Sequence, residues 1–279
     1  MRRMWFAGAA ALAVTGAGAA SAQELEIEDA VARVVVVPEA RQDIQVSVTR
    51  GAPGLPPLTV RQVRSGVKVE GGLGRRIEGC DGRDGATSVR VRGVGRIPVT
   101  DLPLITARVP MNVEVSTEDS AVFGSIGRTQ SLKLGSGGCG TWRAANVAGA
   151  AEISVAGSGD VMVGSVRQAE LNVAGSGDLR LGPVGGSLEA NIAGSGDIRV
   201  ASVGGSVEAN IAGSGDVVIE SGRTGPVSAS IAGSGDVRVA GAAASVNASI
   251  VGSGDVRVQQ VSGSVRRSIM GSGDVIVGR

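Results

Sequence analysis

The 279-residue chain has no histidine and no tyrosine, and only two phenylalanines, two tryptophans and two cysteines. The missing histidine removes the commonest general base and metal ligand, and with it the usual means of activating a cysteine nucleophile. With so few rings, platforms on which sugars stack are scarce. No basic patch with interleaved aromatics is present, so nucleic acid is not an expected partner. Beyond the N-terminus no apolar run is long enough to span a bilayer as a helix. Helix-period apolar spacing is hard to find, whereas β-branched alternation is everywhere.

The first residues, "MRRMWFAGAAALAVTGAGAASAQ", place Arg2 and Arg3 before an uncharged apolar run that ends in Ala20-Ser21-Ala22. That order is a charged n-region, an h-region and an A-x-A site, so residues 1–22 are read as a signal peptide cleaved before Gln23. The mature chain is then expected in the periplasm or outside the cell, with no transmembrane segment. Losing Arg2 and Arg3 leaves 25 basic against 26 acidic residues. In an oxidising compartment the two cysteines, Cys80 and Cys139, are expected to pair as a disulfide; two buried free thiols are the alternative.

What the chain has in abundance is glycine, 46 residues, much of it in a recurring word. Seven GSGD words end at Asp160, Asp178, Asp197, Asp216, Asp236, Asp255 and Asp274, spaced 18, 19, 19, 20, 19 and 19 residues apart. A fixed period of this size marks a stacked repeat in which no single copy buries its own apolar face. Nineteen residues cannot hold two helices and a turn, but they can hold two or three short strands. The expected fold is therefore all-β: a single-stranded parallel β-helix of about 19 residues per turn over residues 104–279, preceded by an irregular β lead-in over residues 23–103.

The columns agree. Five places before each aspartate stand Val155, Val173, Ile192, Ile211, Ile231, Ile250 and Ile269, an inward β-branched column. Further inward columns are expected one, three and six places after it. Outward columns carry Ala four places before (Ala156 to Ala232, then Val251 and Met270), Asn or Ser six before, and Glu152 to Glu208 eight before. In the lead-in, Val60 to Gly71 reads as a hairpin and Gly71 to Gly85 as a glycine-rich loop carrying Cys80. Two degenerate turns follow Leu104, with Gly138 in the place of the aspartate.

The seven aspartates are the candidate site residues. As turn residues they accept backbone N–H groups at a glycine corner, each bond worth about 1 kcal/mol or more. Stacked about 4.8 Å apart they repel by about 1 kcal/mol at water's dielectric and about 3.5 at an effective value of 20, so they need water, arginine or shared cations. Calcium is the alternative reading, but one aspartate per turn leaves an oxygen shell of six to eight ligands hard to complete. A pair of carboxylates about 5 Å apart also suits a retaining glycosidase, a spacing that any stacked acid ladder meets. No catalytic residue and no cofactor is expected.

A signal sequence, a β-rich lead-in and GSGD words at this period resemble the autotransporter-adhesin "head GIN" domain family, a bacterial exported domain of unknown function. The resemblance covers about Ile27 to Arg279 and is most specific over the ladder from Gly157 to Asp274. It implies a right-handed parallel β-helix and a surface-adhesion role, and brings no catalytic residues with it. The expected function is a non-enzymatic cell-envelope scaffold for structure, adhesion or ligand binding, its partner an envelope glycan or protein. The alternative is a polysaccharide-binding or polysaccharide-cleaving β-helix assisted by calcium. A monomer is expected, because Arg266 and Arg267 would repel a second copy at the last turn; exposed Val251 and Met270 form an opposing apolar patch.

Overall fold

The computed structural model describes residues 23–83 and 86–278; the signal peptide read over residues 1–22 lies outside them. The chain is a β-solenoid of about nine turns at a spacing of about 19 residues. Two strands open it, β1 (Glu24–Glu28) and β2 (Val31–Glu39). An excursion follows: β3 (Gln45–Thr49), β4 (Thr59–Val63), β5 (Gly66–Glu70), β6 (Ile77–Arg83), β7 (Ala86–Val91) and β8 (Gly95–Pro98). The chain then re-enters the coil with β9 (Leu104–Pro110), β10 (Asn112–Ile126) and β11 (Ser131–Ala144).

Each GSGD word joins one strand to the next. The repeats supply β12 (Ala150–Gly157) and β13 (Asp160–Val163), β14 (Gln168–Gly175) and β15 (Leu179–Val184), β16 (Leu188–Gly194) and β17 (Ile198–Val203), then β18 (Val207–Gly213) and β19 (Val217–Ile219). The last are β20 (Arg223–Gly233), β21 (Val237–Gly252), β22 (Val256–Val261), β23 (Val265–Gly271) and β24 (Val275–Val277). All pairings between successive turns are parallel, and they place Val155 beside Val173, Val173 beside Ile192, Ile192 beside Ile211, Ile211 beside Ile231 and Ile231 beside Ile250. These side chains are buried, each worth about 1.5–3 kcal/mol. The column one place after the aspartates, Val161 to Val256, is equally closed to solvent.

Two inward columns escape the reading centred on the GSGD word. They stand seven and nine places before each aspartate: Ile153, Leu171 and then alanines to Ala248, and Ala151, Ala169, Leu188, Val207, Val227 and Val246, all buried. The period-2 alternation that leads to the Ile column continues into them, so the signal was available.

The opening of the chain is part of the coil. β1 and β2 pair parallel with β10, forming the turn that β10 stacks upon. β9 lies on the other side of β2, also parallel. The N-terminal edge is finished by antiparallel strands, β4 on β5 and β3 on β9, which pair backbone groups that would otherwise invite edge association.

Two expectations need correction. Cys80 sits on strand β6, in register with Val89 of β7 in a small antiparallel sheet completed by β8, rather than in a loop; alternation through Thr87–Val91 makes the pair a ribbon despite its glycines. And Gly138 pairs with Gly157, the first residue of a GSGD word, while Thr141 pairs with Asp160. Gly138 has φ +100°, so it stands where the backbone needs left-handed space, and Thr141 holds the aspartate's place. The small sheet packs on the coil through Leu73, Val89, Val91, Ile97 and Leu102 against Val31 and Ala121. The Cys80–Cys139 disulfide, with Cα atoms 5.9 Å apart, ties it there.

Candidate functional site

The GSGD corner is built by close backbone stacking. Gly213 has φ +142°, which an L side chain avoids. A Cβ on Gly215 would collide with the carbonyl oxygen of Gly196 one turn back and lie 3.0 Å from Cγ2 of Ile192. Both glycines are thus required, the first for its dihedral and the second for the approach of neighbouring turns.

The structure places the seven aspartates in one column. Six of the seven carboxylates serve the following turn. The backbone N–H of Asp178 donates to Oδ1 of Asp160 at 3.1 Å, and Asp197 to Asp178 at 3.2 Å. Asp216 donates to Asp197 at 3.0 Å, Asp236 to Asp216 at 2.8 Å, Asp255 to Asp236 at 2.8 Å and Asp274 to Asp255 at 2.7 Å. The acceptor role expected at each aspartate's own corner is therefore exercised one turn on. Asp274 instead accepts from Val275 at 2.7 Å.

The second carboxylate oxygen faces a column of arginines two places after the aspartates. Arg180 reaches Asp178 at 3.3 Å, Arg199 reaches Asp197 at 2.9 Å, and Arg257 bridges Asp236, at 2.8 Å, and Asp255. Asp160, Asp216 and Asp274 have no ion pair among the described residues. The repulsion of stacked acids is met by backbone dipoles at every turn and by guanidinium groups at some. Among the described residues no three His, Cys, Asp or Glu side chains are grouped to hold a metal ion.

The adjoining face has different chemistry. Asn191 Nδ2 donates to Asn172 Oδ1 at 3.0 Å, and Asn210 Nδ2 to Asn191 Oδ1 at 2.9 Å. The amide nitrogen's other proton serves a glutamate on the same strand, Asn191 to Glu189 at 3.1 Å and Asn172 to Glu170 at 3.4 Å. Beside this ladder the column Ala156, Ala174, Ala193, Ala212 and Ala232 floors a shallow groove of about 470 Å³. At the N-terminal end of the glutamate column Lys133 lies 3.3 Å from Glu114 and 3.9 Å from Glu152. Hydrogen bonding and charge from Glu114 first, then the charge of Glu152, raise its ammonium above the ordinary lysine range.

The arrangement is a set of parallel one-dimensional ladders. It can present a repeated hydrogen-bonding and small-apolar surface along its length. Among the described residues its acids share a spacing rather than a focus.

No curated protein matches the chain. Two solved structures similar to it cover 92% of this chain and 92% of their own: a "putative adhesin" from Bacteroides fragilis NCTC 9343, at 12% identity and TM-score 0.45, and a "putative adhesin" from Parabacteroides distasonis ATCC 8503, at 14% identity and TM-score 0.51. The second shares the fold. Residues 184–278, which hold the last five GSGD words, match the model of the family described as "Putative auto-transporter adhesin, head GIN domain".

Proposed function

We propose that this protein is a non-enzymatic, exported β-helix of adhesin type, a cell-envelope scaffold that meets its partner along a repetitive face. The observation that carries this reading is the repetition of the columns: Asp recurs in all seven GSGD turns, Ala in five, Glu in four and Asn in three consecutive turns, with arginine at Arg180, Arg199, Arg238 and Arg257. A contact surface benefits from repetition, whereas a catalytic centre needs unlike groups converging on one point. The Ala column and the Asn/Ser column beside it (Ser154, Asn172, Asn191, Asn210 and Ser230) extend over five turns, about 19 Å at the strand spacing, and small side chains keep the face flat. The family match and the n-region, h-region and A-x-A order at the N-terminus support export, and a disulfide is at home in an oxidising compartment. The aspartate ladder is then turn chemistry, and calcium is not required for it.

The test is retention of the mature protein by a glycan array and by envelope preparations, with and without calcium, against an Ala193→Arg/Ala212→Arg variant that roughens the flat face. Calcium-independent retention lost in the variant is expected. Shortening of any polysaccharide on the array would overturn the non-enzymatic reading.

A further inference from the structure

The Asp and Arg columns run toward the N-terminus of the coil and change character there. In register with Asp160 come Thr141, Phe123 and Arg33, and in register with Met162 come Arg143, Ser125 and Val35. The small β6–β8 sheet overhangs these positions, and between the two lies a cleft of about 760 Å³ walled by Thr87 and Thr100. Among the described residues no acidic side chain lines it. Of the ladder arginines, Arg180, Arg199 and Arg257 are paired and, among the described residues, Arg238 is not; among the same residues Arg33 and Arg143 have no ion pair either.

Arg33 is the more telling of the two. Its Nε is buried without a hydrogen-bond partner, and Nη2 makes only a long contact, 3.5 Å, to the carbonyl of Leu102. A buried guanidinium N–H left unmatched is costly, and its natural complement is an oxyanion. Arg33 and Arg143 are two strands and two residues apart, about 12 Å between Cα atoms at ordinary sheet spacings. Side chains of their length can converge on one ligand residue. Between them stand the partly buried Phe123 and the hydroxyls of Ser125 and Thr141, an apolar ring flanked by partners for sugar hydroxyls. Asp160 lies beyond Thr141 at the margin, its Oδ1 already engaged by Asp178.

We propose that this cleft binds an acidic sugar residue of a glycan, its carboxylate or sulfate oxygens held between Arg33 and Arg143 and its hydroxyls by Ser125, Thr141, Thr87 of the overhanging sheet and Thr100 in the turn that follows it. The proposal rests on the adhesin-type reading and names the ligand class for it. No bond is made or broken.

Calorimetry of the full mature chain with three trisaccharide probes tests it: a galacturonate trimer, a sulfated galactose trimer and the neutral galactose trimer. The expected result is that at least one acidic trimer binds, that added salt weakens it, and that the neutral trimer does not bind. Arg143→Gln, at an exposed position, is expected to weaken binding at least tenfold; Arg33→Lys is expected to weaken it too, and Arg199→Gln in the ladder to leave it unchanged. Preference between the two acidic trimers identifies the oxyanion. Equal binding of the neutral trimer, parent-like binding by a folded Arg143→Gln, or no acidic trimer bound at millimolar concentration would overturn the proposal. Envelope retention that persists while acidic trimers fail to bind faults the cleft alone; acidic-trimer binding without envelope retention faults the adhesin reading alone.

Discussion

Oδ1 of Asp197 accepts the backbone N–H of Asp216, one turn on along the coil, at 3.0 Å. The same bond recurs from Asp216 to Asp236 at 2.8 Å. A side-chain acceptor thus does what a ladder carbonyl does elsewhere in a sheet. It satisfies an amide at the GSGD corner, between the strand that ends at Gly213 and the one that begins at Val217.

This relationship separates the acceptor from the charge. Asp216→Asn keeps an Oδ1 acceptor and relieves repulsion from Asp197 and Asp236, so it should cost less than about 1.5 kcal/mol. Asp216→Ala leaves the Asp236 amide without its partner and should cost about 1–3 kcal/mol. Urea melts of the two variants beside the parent measure the difference. Calcium should move all three midpoints little; a large saturable shift lost in the variants would assign the ladder to a cation.

The disulfide holds the β6–β8 sheet against the coil through one covalent link and a small second core. Fifty-nine residues separate the cysteines, for which the chain-entropy model gives about 4 kcal/mol. Cys80→Ser/Cys139→Ser should make residues 74–103 the first to be cut by protease while the repeats stay resistant. A denaturing thiol count on the unreduced parent should find none; two free thiols would refute the pairing.

Asp29 adopts a left-handed φ of +53° beside Glu28, Asp119 and Glu70. Burial first, then the charges of Glu28, Asp119 and Glu70, raises its carboxyl above the ordinary value of 3.8. A raised acid is more readily protonated in the folded chain than in the unfolded one. Its stabilising contribution is present in full below pH 3.8 and is lost as pH rises through the raised value. Asn tolerates the same φ without the charge. Asp29→Asn should therefore raise Tm at pH 7, and the gain should vanish as the pH is lowered past the carboxylate range. An equal gain at pH 3 would place the effect in the backbone instead.

Met270 is 73% exposed and lies in register with Val251, itself 53% exposed. Against this apolar pair stands Arg267, which pairs with Ala248 in an inward column that holds alanine in the preceding turns. Another strand stacked on β23 would have to bury that guanidinium at a cost of several kcal/mol. Light scattering should find a monomer, with the mass of Met270→Glu unchanged. A parent dimer that the variant dissociates would make the patch an interface.

Sequence alone determined the elements and their inward faces. Alternation of β-branched residues is a local property of a strand, and a glycine corner every nineteen residues sets the turn length, so the columns through Ile211 and Val217 were legible before any coordinates. Which strand pairs with which is not local. Only the tertiary structure decided that β1 and β2 join β10, that Gly138 stacks with Gly157, and that an aspartate such as Asp197 serves the amide one turn on. Arg33 and Arg143 show the limit most clearly. Each looks like an ordinary outward residue of its own strand. They share a cleft because parallel pairing sets their strands side by side and the β6–β8 sheet folds over them, and contacts between chain segments so far apart leave no period in the sequence.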